Sequence, residues 1–181
     1  MPLSPDDLLA RLEALGFETT TVRHPPLFTV AESQKLRGEI PGGHTKNLFM
    51  KDKKDRIWLV VAEEDADIDL KRLHERIGSA RLSFARPELL VETLGVQPGS
   101  VTPFGVVNDS EGRVTVVLDA DLLRHDLLNF HPLTNEATTT IRRDDLIAFL
   151  RACGHDPLVV DVRGPAADRA RICTGSAGAP S

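Results

Sequence analysis

The 181-residue sequence contains no Tyr, one Trp and only two Cys. The two cysteines, Cys153 and Cys173, are too few for a disulfide framework, so we expect reduced thiols in a cytoplasmic protein. The longest apolar run, residues 57–62, is far shorter than the ~20 residues that span a bilayer. Acidic Asp6 and Asp7 stand where a signal peptide would be basic, so no such peptide is expected. Neither a membrane protein nor a secreted disulfide scaffold fits these absences.

Positive charge is also in short supply. Lys and Arg total 22 against 27 Asp and Glu, which gives a formal net charge of −5. A protein whose whole surface coats nucleic acid would be basic, so any contact with nucleic acid must be local. Aromatic residues make up only 4% of the chain, which argues against a broad base-stacking platform. The length and the 41% hydrophobic content predict one globular domain with a sizeable core.

Hydrophobic periodicity and capping residues predict interleaved helices and strands. Helices are expected over residues 4–16, from residue 29, and over 69–77, 87–94 and 144–152. Strands are expected over residues 19–23, 48–50, 57–62, 105–107, 114–118, 137–141 and 158–162. Two hairpins, with turns at residues 51–55 and 108–112, predict a mixed, mostly antiparallel sheet of the α/β class. We place the domain at residues 1–163 and a tail at residues 164–181.

Residues 41–47, Pro-Gly-Gly-His-Thr-Lys-Asn, form the first segment that departs from regular patterning. Its glycines let a ligand approach the backbone closely, and Lys46 and Asn47 stand at the start of a strand. Lys46 as a solvated strand end is the alternative interpretation. A phosphate-binding loop is excluded because no Gly-Lys-Ser/Thr precedes a helix.

The second segment enters a strand with two glycines, a proline and two hydroxyls. It can be plain turn chemistry, or it can form a pocket wall of backbone N–H and C=O groups with an aromatic ring behind it. Its residues are Gly99, Ser100, Val101, Thr102, Pro103, Phe104 and Gly105.

The third segment, residues 129–140, places His131 before a proline, which favours an extended loop conformation. Asn135 and Thr138 nearby supply neutral hydrogen-bonding groups that suit a polar, hydroxyl-rich ligand. A structural role for His131 is the alternative.

Metal and nucleophile motifs are missing. The six histidines have no metal-ligand spacing, and neither Cys-x-x-Cys nor His-Glu-x-x-His occurs. No Gly-x-Ser-x-Gly elbow is present, and Cys153 is interpreted as a packing residue. We therefore expect neither a metal site nor covalent catalysis.

Together the three segments resemble the bacterial prolyl-tRNA editing proteins of the YbaK/ProX family, which includes the insertion domain of prolyl-tRNA synthetases. The likeness runs from about residue 6 to residue 162. Its most specific pieces are Thr-Lys-Asn-Leu-Phe at 45–49, Gly-Ser-Val-Thr-Pro-Phe-Gly at 99–105 and Asn-Phe-His-Pro at 129–132. The Pro-Phe-Gly and Phe-His-Pro motifs are similar to those of the free-standing branch that clears alanine.

The resemblance implies a trans-editing deacylase that hydrolyses Ala-tRNA(Pro), on a curved, barrel-like sheet surrounded by helices. It implies that Lys46 is the residue whose loss should lower activity most and that Asn47 orients the substrate. A general base would need a strongly lowered lysine pKa, so we expect Lys46 to act electrostatically on the terminal phosphate or the ester carbonyl. The 99–105 loop would bind the aminoacyl group, and His131 would set the pocket size, supported by Asn135 and Thr138. The attacking group would be water, and the resemblance implies no metal and no organic cofactor.

The implied partner is the 3′ end of mischarged tRNA(Pro), and a prolyl-tRNA synthetase is a candidate second partner. We expect the protein to be a monomer. A basic cluster in the first hairpin turn could contact the acceptor stem, or it could be a solvated turn; it comprises Lys51, Lys53, Lys54 and Arg56. Three other functions stay open: a deacylase for Cys-tRNA(Pro) or another aminoacyl-tRNA, a non-catalytic nucleic-acid-binding protein, and a small-molecule-binding or metabolic enzyme of the same fold.

Overall fold

A computed structural model describes residues 2–26, 35 and 40–163. Strands and helices alternate along these residues, and two short 3₁₀ helices cover Pro103–Asn108 and Ala120–Arg124. The helices are α1 (Pro5–Ala14), α2 (Leu73–Ile77), α3 (Pro87–Leu94) and α4 (Arg143–Ala152). The strands are β1 (Thr19–Arg23), β2 (Gly43–Asp52), β3 (Ile57–Glu63), β4 (Leu82–Phe84), β5 (Val114–Asp119), β6 (Leu127–Phe130), β7 (Ala137–Arg142) and β8 (Leu158–Val160).

The described strands form one mixed sheet in the order β1-β7-β6-β2-β3-β5-β8, with β4 paired to β2. The β1–β7, β6–β7, β2–β3 and β2–β4 pairs are antiparallel. The β2–β6, β3–β5 and β5–β8 pairs are parallel. The predicted α/β class and mixed, mostly antiparallel sheet are therefore confirmed. The sheet is open, with β1 and β8 at its ends, so it does not close into the barrel-like form that the resemblance implied.

Apolar residues pack against both faces of the sheet, which explains why residues 57–62 of β3 are all buried. Leu59 and Val61 belong to the larger cluster, which includes Phe104 and Phe149. Trp58, Val60 and Ala62 alternate with them and pack with the α2 side chains in a second cluster. A strand that is buried on both faces has a continuous run of apolar residues in its sequence, as β3 does.

Most predicted elements are present. The Ser4 hydroxyl caps α1 by accepting a hydrogen bond from the Asp7 N–H at 3.1 Å. The first hairpin, β1, α3, β7 and α4 also match their predictions closely. The predicted helix over 69–77 is shorter than expected, because the Asp69 carboxylate accepts from the Lys71 N–H and holds a turn ahead of Leu73.

The predicted second hairpin is wrong. Its first strand is instead the 3₁₀ helix Pro103–Asn108, in which Pro103 takes the first position and the Thr102 hydroxyl caps the Phe104 N–H. Its second strand, β5, pairs in parallel with β3 and β8. Strands β4 and β6 were not predicted. The helix expected from residue 29 and the tail from residue 164 lie outside the described residues, so the proposed domain boundary stays a prediction.

Across the described part of the chain, every helix falls short of the length and apolarity needed to cross a bilayer.

Candidate functional site

The first and third sequence segments are joined through Asn129 in β6. Its Nδ2 donates to the carbonyl oxygens of Pro41 at 3.0 Å and Gly43 at 3.3 Å. Its own carbonyl accepts from the Thr45 hydroxyl at 2.7 Å, and its Oδ1 accepts from the Thr140 hydroxyl. These bonds hold the strand that carries Lys46 beside the strand that leads to His131.

The glycines of the first segment have a packing role. Gly42 has φ +99°, and a Cβ there would lie 2.8 Å from the Leu127 carbonyl oxygen. A Cβ on Gly43 would lie 2.7 Å from the His125 ring. The backbone of this segment thus approaches β6 and His125, whereas the sequence suggested that a ligand would take that space.

Lys46 lies in β2 and is partly buried. Its Nζ donates a hydrogen bond to the carbonyl oxygen of Ala66 in the turn after β3. His44 pairs with Asn129, and side chains two apart on a strand share a face, so Lys46 lies on the Asn129 face of the sheet. Asn47 alternates to the opposite face, the face of Phe49 and the larger core cluster.

The Asn47 side chain has an unusual environment. Its Oδ1 is buried and has no hydrogen-bond partner among the described residues. Such an acceptor costs free energy unless a donor reaches it. The expectation that Asn47 orients a substrate stays a prediction, and the alternation of β2 separates it from Lys46.

The second and third segments meet at two points. A Cβ on Gly99 would lie 3.3 Å from Asn135 Nδ2, so the Gly99 backbone lies against that amide. The Phe104 ring packs edge-to-face against Phe130, with centroids 5.6 Å apart. These contacts place the loop beside the end of β6.

Only the start of the 99–105 loop is accessible. Gly99 is exposed and Val101 is partly buried. Ser100 is 7% exposed, and its N–H closes a turn with Gln97. The other members are buried: Thr102, Pro103, Phe104 and Gly105. The pocket-wall prediction therefore rests on residues 99–101, with the buried 3₁₀ helix behind them.

His131 follows β6 and is partly buried. Its Nδ1 lies 3.1 Å from the Ala137 carbonyl oxygen. Burial lowers the pKa of His131, the hydrogen bond to Ala137 opposes that shift, and the charge of neighbouring His24 adds to the lowering. His131 is therefore held towards its neutral form, whose remaining ring nitrogen is a hydrogen-bond acceptor.

Sequence reasoning missed His24. Its Nε2 lies 2.8 Å from the Thr138 hydroxyl, and its Nδ1 lies 2.9 Å from the Pro25 carbonyl oxygen. Thr138, 6% exposed, pairs in register with Val22 of β1. The sequence does contain a signal for His24: a His-Pro pair, His24-Pro25, directly follows the strand predicted over residues 19–23. The same pair of residue types recurs at His131-Pro132.

Among residues 2–26, 35 and 40–163, no group of three His, Cys, Asp or Glu side chains is arranged so that it could bind a metal ion. Cys153 packs against the larger core cluster, and burial raises the pKa of its thiol. The packing role predicted for Cys153 agrees with this placement.

Comparisons with known proteins converge on one family. The model of the aminoacyl-tRNA editing domain matches residues 24–149. A prolyl-tRNA synthetase associated domain-containing protein 1 from Danio rerio is 40% identical over 164 residues, covering 87% of this chain and 89% of the relative. The prolyl-tRNA editing protein ProX of Acetoanaerobium sticklandii is 39% identical over 149 residues, covering 82% and 91%.

A solved structure supports the fold. It is described as a candidate trans-editing enzyme for prolyl tRNA synthetase and superposes with a TM-score of 0.69 at 24% identity, covering 90% of this chain and 99% of that one.

Proposed function

Since the chain belongs to the aminoacyl-tRNA editing domain family, we propose that it is a deacylase that acts in trans on mischarged tRNA(Pro), with alanine as the amino acid removed. The relatives named for prolyl-tRNA editing support the substrate class. The choice of alanine rests on the Pro-Phe-Gly motif at residues 103–105 and the Phe-His-Pro motif at residues 130–132.

Alanine is the error that such an enzyme would need to remove. A synthetase pocket built for proline rejects a smaller amino acid only weakly, because missing methylenes are worth about 1–3 kcal/mol of discrimination. A second pocket that admits alanine and excludes proline corrects the error. Partly buried His131 and the packed 99–105 loop would supply walls for a small pocket of this kind.

The observation that supports the proposal is that β6 and the segment after it contact both of the other candidate segments. Asn129 binds the segment that leads to Lys46, Asn135 contacts Gly99, and Phe130 packs on Phe104. A cation, a loop of backbone donors and acceptors, and a neutral imidazole are the groups that hydrolysis of an aminoacyl ester can use.

In the proposed reaction, water adds to the ester carbonyl carbon. The bond from that carbon to the ribose oxygen breaks, and a proton passes to the ribose oxygen to give free alanine and tRNA. Negative charge builds on the carbonyl oxygen, where the Lys46 ammonium would be most stabilising. The same cation could instead hold the terminal phosphate. The chemistry needs neither a metal nor an organic cofactor.

The first hairpin turn is the proposed contact for the acceptor stem. Lys53, Lys54 and Arg56 are exposed, and the Lys53 N–H binds the carbonyl of exposed Arg81, which adds a cation to this surface. Lys46 and Asp52, the last residue of β2 before the turn, are separated by about 20 Å at the usual rise of ~3.3 Å per residue. That span lets one tRNA place its 3′ end at Lys46 and stem phosphates at the turn.

Deacylation of alanyl-, cysteinyl- and prolyl-tRNA(Pro) by the purified protein tests the proposal, with Lys46→Ala beside the wild type. Hydrolysis of the alanyl ester alone, lost in the variant, is the expected result. Hydrolysis of the cysteinyl ester instead would overturn the choice of amino acid. No hydrolysis of any ester would favour a non-catalytic tRNA-binding protein. A thermal shift with an unrelated small molecule would favour a metabolic enzyme.

We expect the protein to work as a monomer in the cytoplasm. A prolyl-tRNA synthetase is the proposed source of the mischarged tRNA, in line with the synthetase-associated name of the Danio rerio relative.

A further inference from the structure

Two histidines flank Thr138 near the edge of the sheet. His24 follows β1 and contacts the Thr138 hydroxyl through Nε2 at 2.8 Å. His131 follows β6, one position beyond the registered pair Phe130–Thr139, which places it across from Thr138. Only the imidazole of His131 belongs to the sequence motifs, so the role of His24 requires its own explanation.

The hydrogen-bond partners determine which nitrogen of each ring carries the proton. A carbonyl oxygen can only accept, so the Nδ1 of His24 donates to Pro25 and the Nδ1 of His131 donates to Ala137. In the neutral rings, both Nε2 atoms are then acceptors. The Thr138 hydroxyl therefore donates its hydrogen to His24.

This arrangement commits the hydrogen of Thr138 and leaves its oxygen lone pairs available. The Nε2 of His131 has no hydrogen-bond partner among the described residues and is likewise an acceptor. Without His24, the Thr138 hydroxyl could rotate and present its hydrogen instead. His24 thus decides whether Thr138 acts as an acceptor or a donor.

We infer that His24 is a positioning residue, which makes the Thr138 oxygen and the His131 Nε2 a pair of acceptors for the α-ammonium group of the aminoacyl ester. This inference rests on the proposed function. The α-ammonium is the group on an alanyl ester that donates several hydrogen bonds, whereas the ester oxygens and the phosphate only accept.

Charge placement agrees with this assignment. Lys46 lies on the same face of the sheet as Thr138, and its ammonium would repel the substrate's own. The α-ammonium therefore belongs at the neutral acceptors, and the ester carbonyl or the phosphate belongs at Lys46. The lowered pKa of His131 keeps its Nε2 unprotonated at neutral pH.

The test compares two substrates that differ only at the amine, alanyl-tRNA(Pro) and N-acetylalanyl-tRNA(Pro). For His24→Leu, we expect kcat/KM on the alanyl ester to fall by about 10-fold, the usual effect of losing one oriented hydrogen bond. Hydrolysis of the acetylated ester should be unchanged. His24→Gln, whose side-chain oxygen can still accept from Thr138, should recover most of the activity.

Thr138→Val and the double variant complete the design. If His24 acts through Thr138, the double variant should be no slower than Thr138→Val alone. A fold-wide defect would slow both substrates equally and lower the thermal midpoint. Equal losses on the two esters, or additive effects in the double variant, would overturn the inference.

Nitrogen NMR of the histidine rings separates this inference from the proposed function. The Nε2 resonance of His24 should move in Thr138→Val, and that of His131 should move when a non-hydrolysable, amide-linked alanyl-adenosine is added. If the wild type hydrolyses neither ester but both shifts occur, the editing proposal fails and the acceptor pair stands. Absence of the His131 shift would refute the acceptor pair.

Discussion

The Nζ of Lys46 donates a hydrogen bond to the carbonyl oxygen of Ala66, in the turn that follows β3. That turn is closed by the Ala66 N–H, which binds the Glu63 carbonyl at 3.0 Å. A flexible ammonium is thereby held at one place by backbone atoms. The position of the ammonium group therefore depends on the fold of this turn.

Lys46→Ala is expected to lower kcat on the alanyl ester by about 10²–10³, the effect of removing one preorganised group that stabilises a developing oxyanion. Lys46→Arg keeps the charge, but its planar fork cannot reproduce the point contact with Ala66, so only part of the activity should return. Single-turnover deacylation measures both variants. Lys71→Ala, at an exposed lysine outside the site, serves as the control. A wild-type rate in Lys46→Ala would refute the electrostatic role.

The hairpin turn gives a prediction about salt. Replacing Lys53, Lys54 and Arg56 by alanine should raise KM for tRNA and reduce the steepness of its salt dependence, by about 0.7–0.9 per lost phosphate contact. The kcat should be unchanged because the turn is about 20 Å from Lys46 along β2. KM measured across a range of salt concentrations tests this.

A charge-matched control removes three exposed arginines elsewhere, Arg124, Arg142 and Arg151. This control variant changes the net charge by the same amount as the turn variant. A difference between the two variants therefore reflects where the positive charges lie on the surface. Equal effects in the two triple variants would show that the turn is merely solvated.

A buried pair links α4 to the segment before β5. The His155 Nε2 lies 2.8 Å from the Asp109 Oδ2, and the two side chains are 3% and 2% exposed. Asp109 also accepts from the Arg113 and Val114 N–H groups. His155→Phe removes one buried hydrogen-bond donor from this carboxylate. We expect the free energy of unfolding at pH 7 to fall by about 3 kcal/mol.

The matched variant for that pair is His155→Gln, whose amide can still donate to Asp109. Urea unfolding should place its stability between those of the wild type and His155→Phe. Equal stability of all three proteins would mean that the pair contributes nothing.

Asp52 is expected to make stability sensitive to acid. Burial acts to raise its pKa, but hydrogen bonds from the Arg56, Lys54 and Ala80 N–H groups and from the Trp58 indole outweigh burial and lower it. A carboxyl with a lowered folded-state pKa contributes stability above its unfolded pKa of ~3.9 and loses it as pH falls through the folded value. Asp52→Asn should cost about 2 kcal/mol at pH 7.

Stability measured from pH 6 down to pH 2 tests the Asp52 prediction. The difference between wild type and Asp52→Asn should be constant above about pH 5 and should shrink below the unfolded pKa of ~3.9. A difference that stays constant to pH 2 would assign the effect of the substitution to packing.

Local signals in the sequence were sufficient for several elements. Ser4 followed by Pro5 marked the start of α1, Pro87 and Gly95 bounded α3, and the β-branched residues 137–141 marked β7. These predictions succeeded because caps, turns and alternation act between residues close in the chain. The three candidate segments were also visible for that reason, since their unusual composition is itself local.

Partners distant in the chain could not be predicted in this way. Strand β5 was predicted to pair within a hairpin, but its neighbours are β3 and β8, which lie tens of residues away. The glycines at residues 42 and 43 suggested room for a ligand, and the structure fills that room with Leu127 and His125. Such contacts depend on which surfaces the core brings together, which no local pattern encodes.

The sequence by itself determined the α/β class and the family, and it singled out the three candidate segments. Only the tertiary structure decided that Asn47, and not Lys46, faces the larger core cluster and that His24 contacts the Thr138 hydroxyl. The physical reason is that the chemical type of a side chain is set by its own residue, whereas its hydrogen-bond partner is set by strand register. The register of β1 on β7 brings residues more than one hundred positions apart into contact.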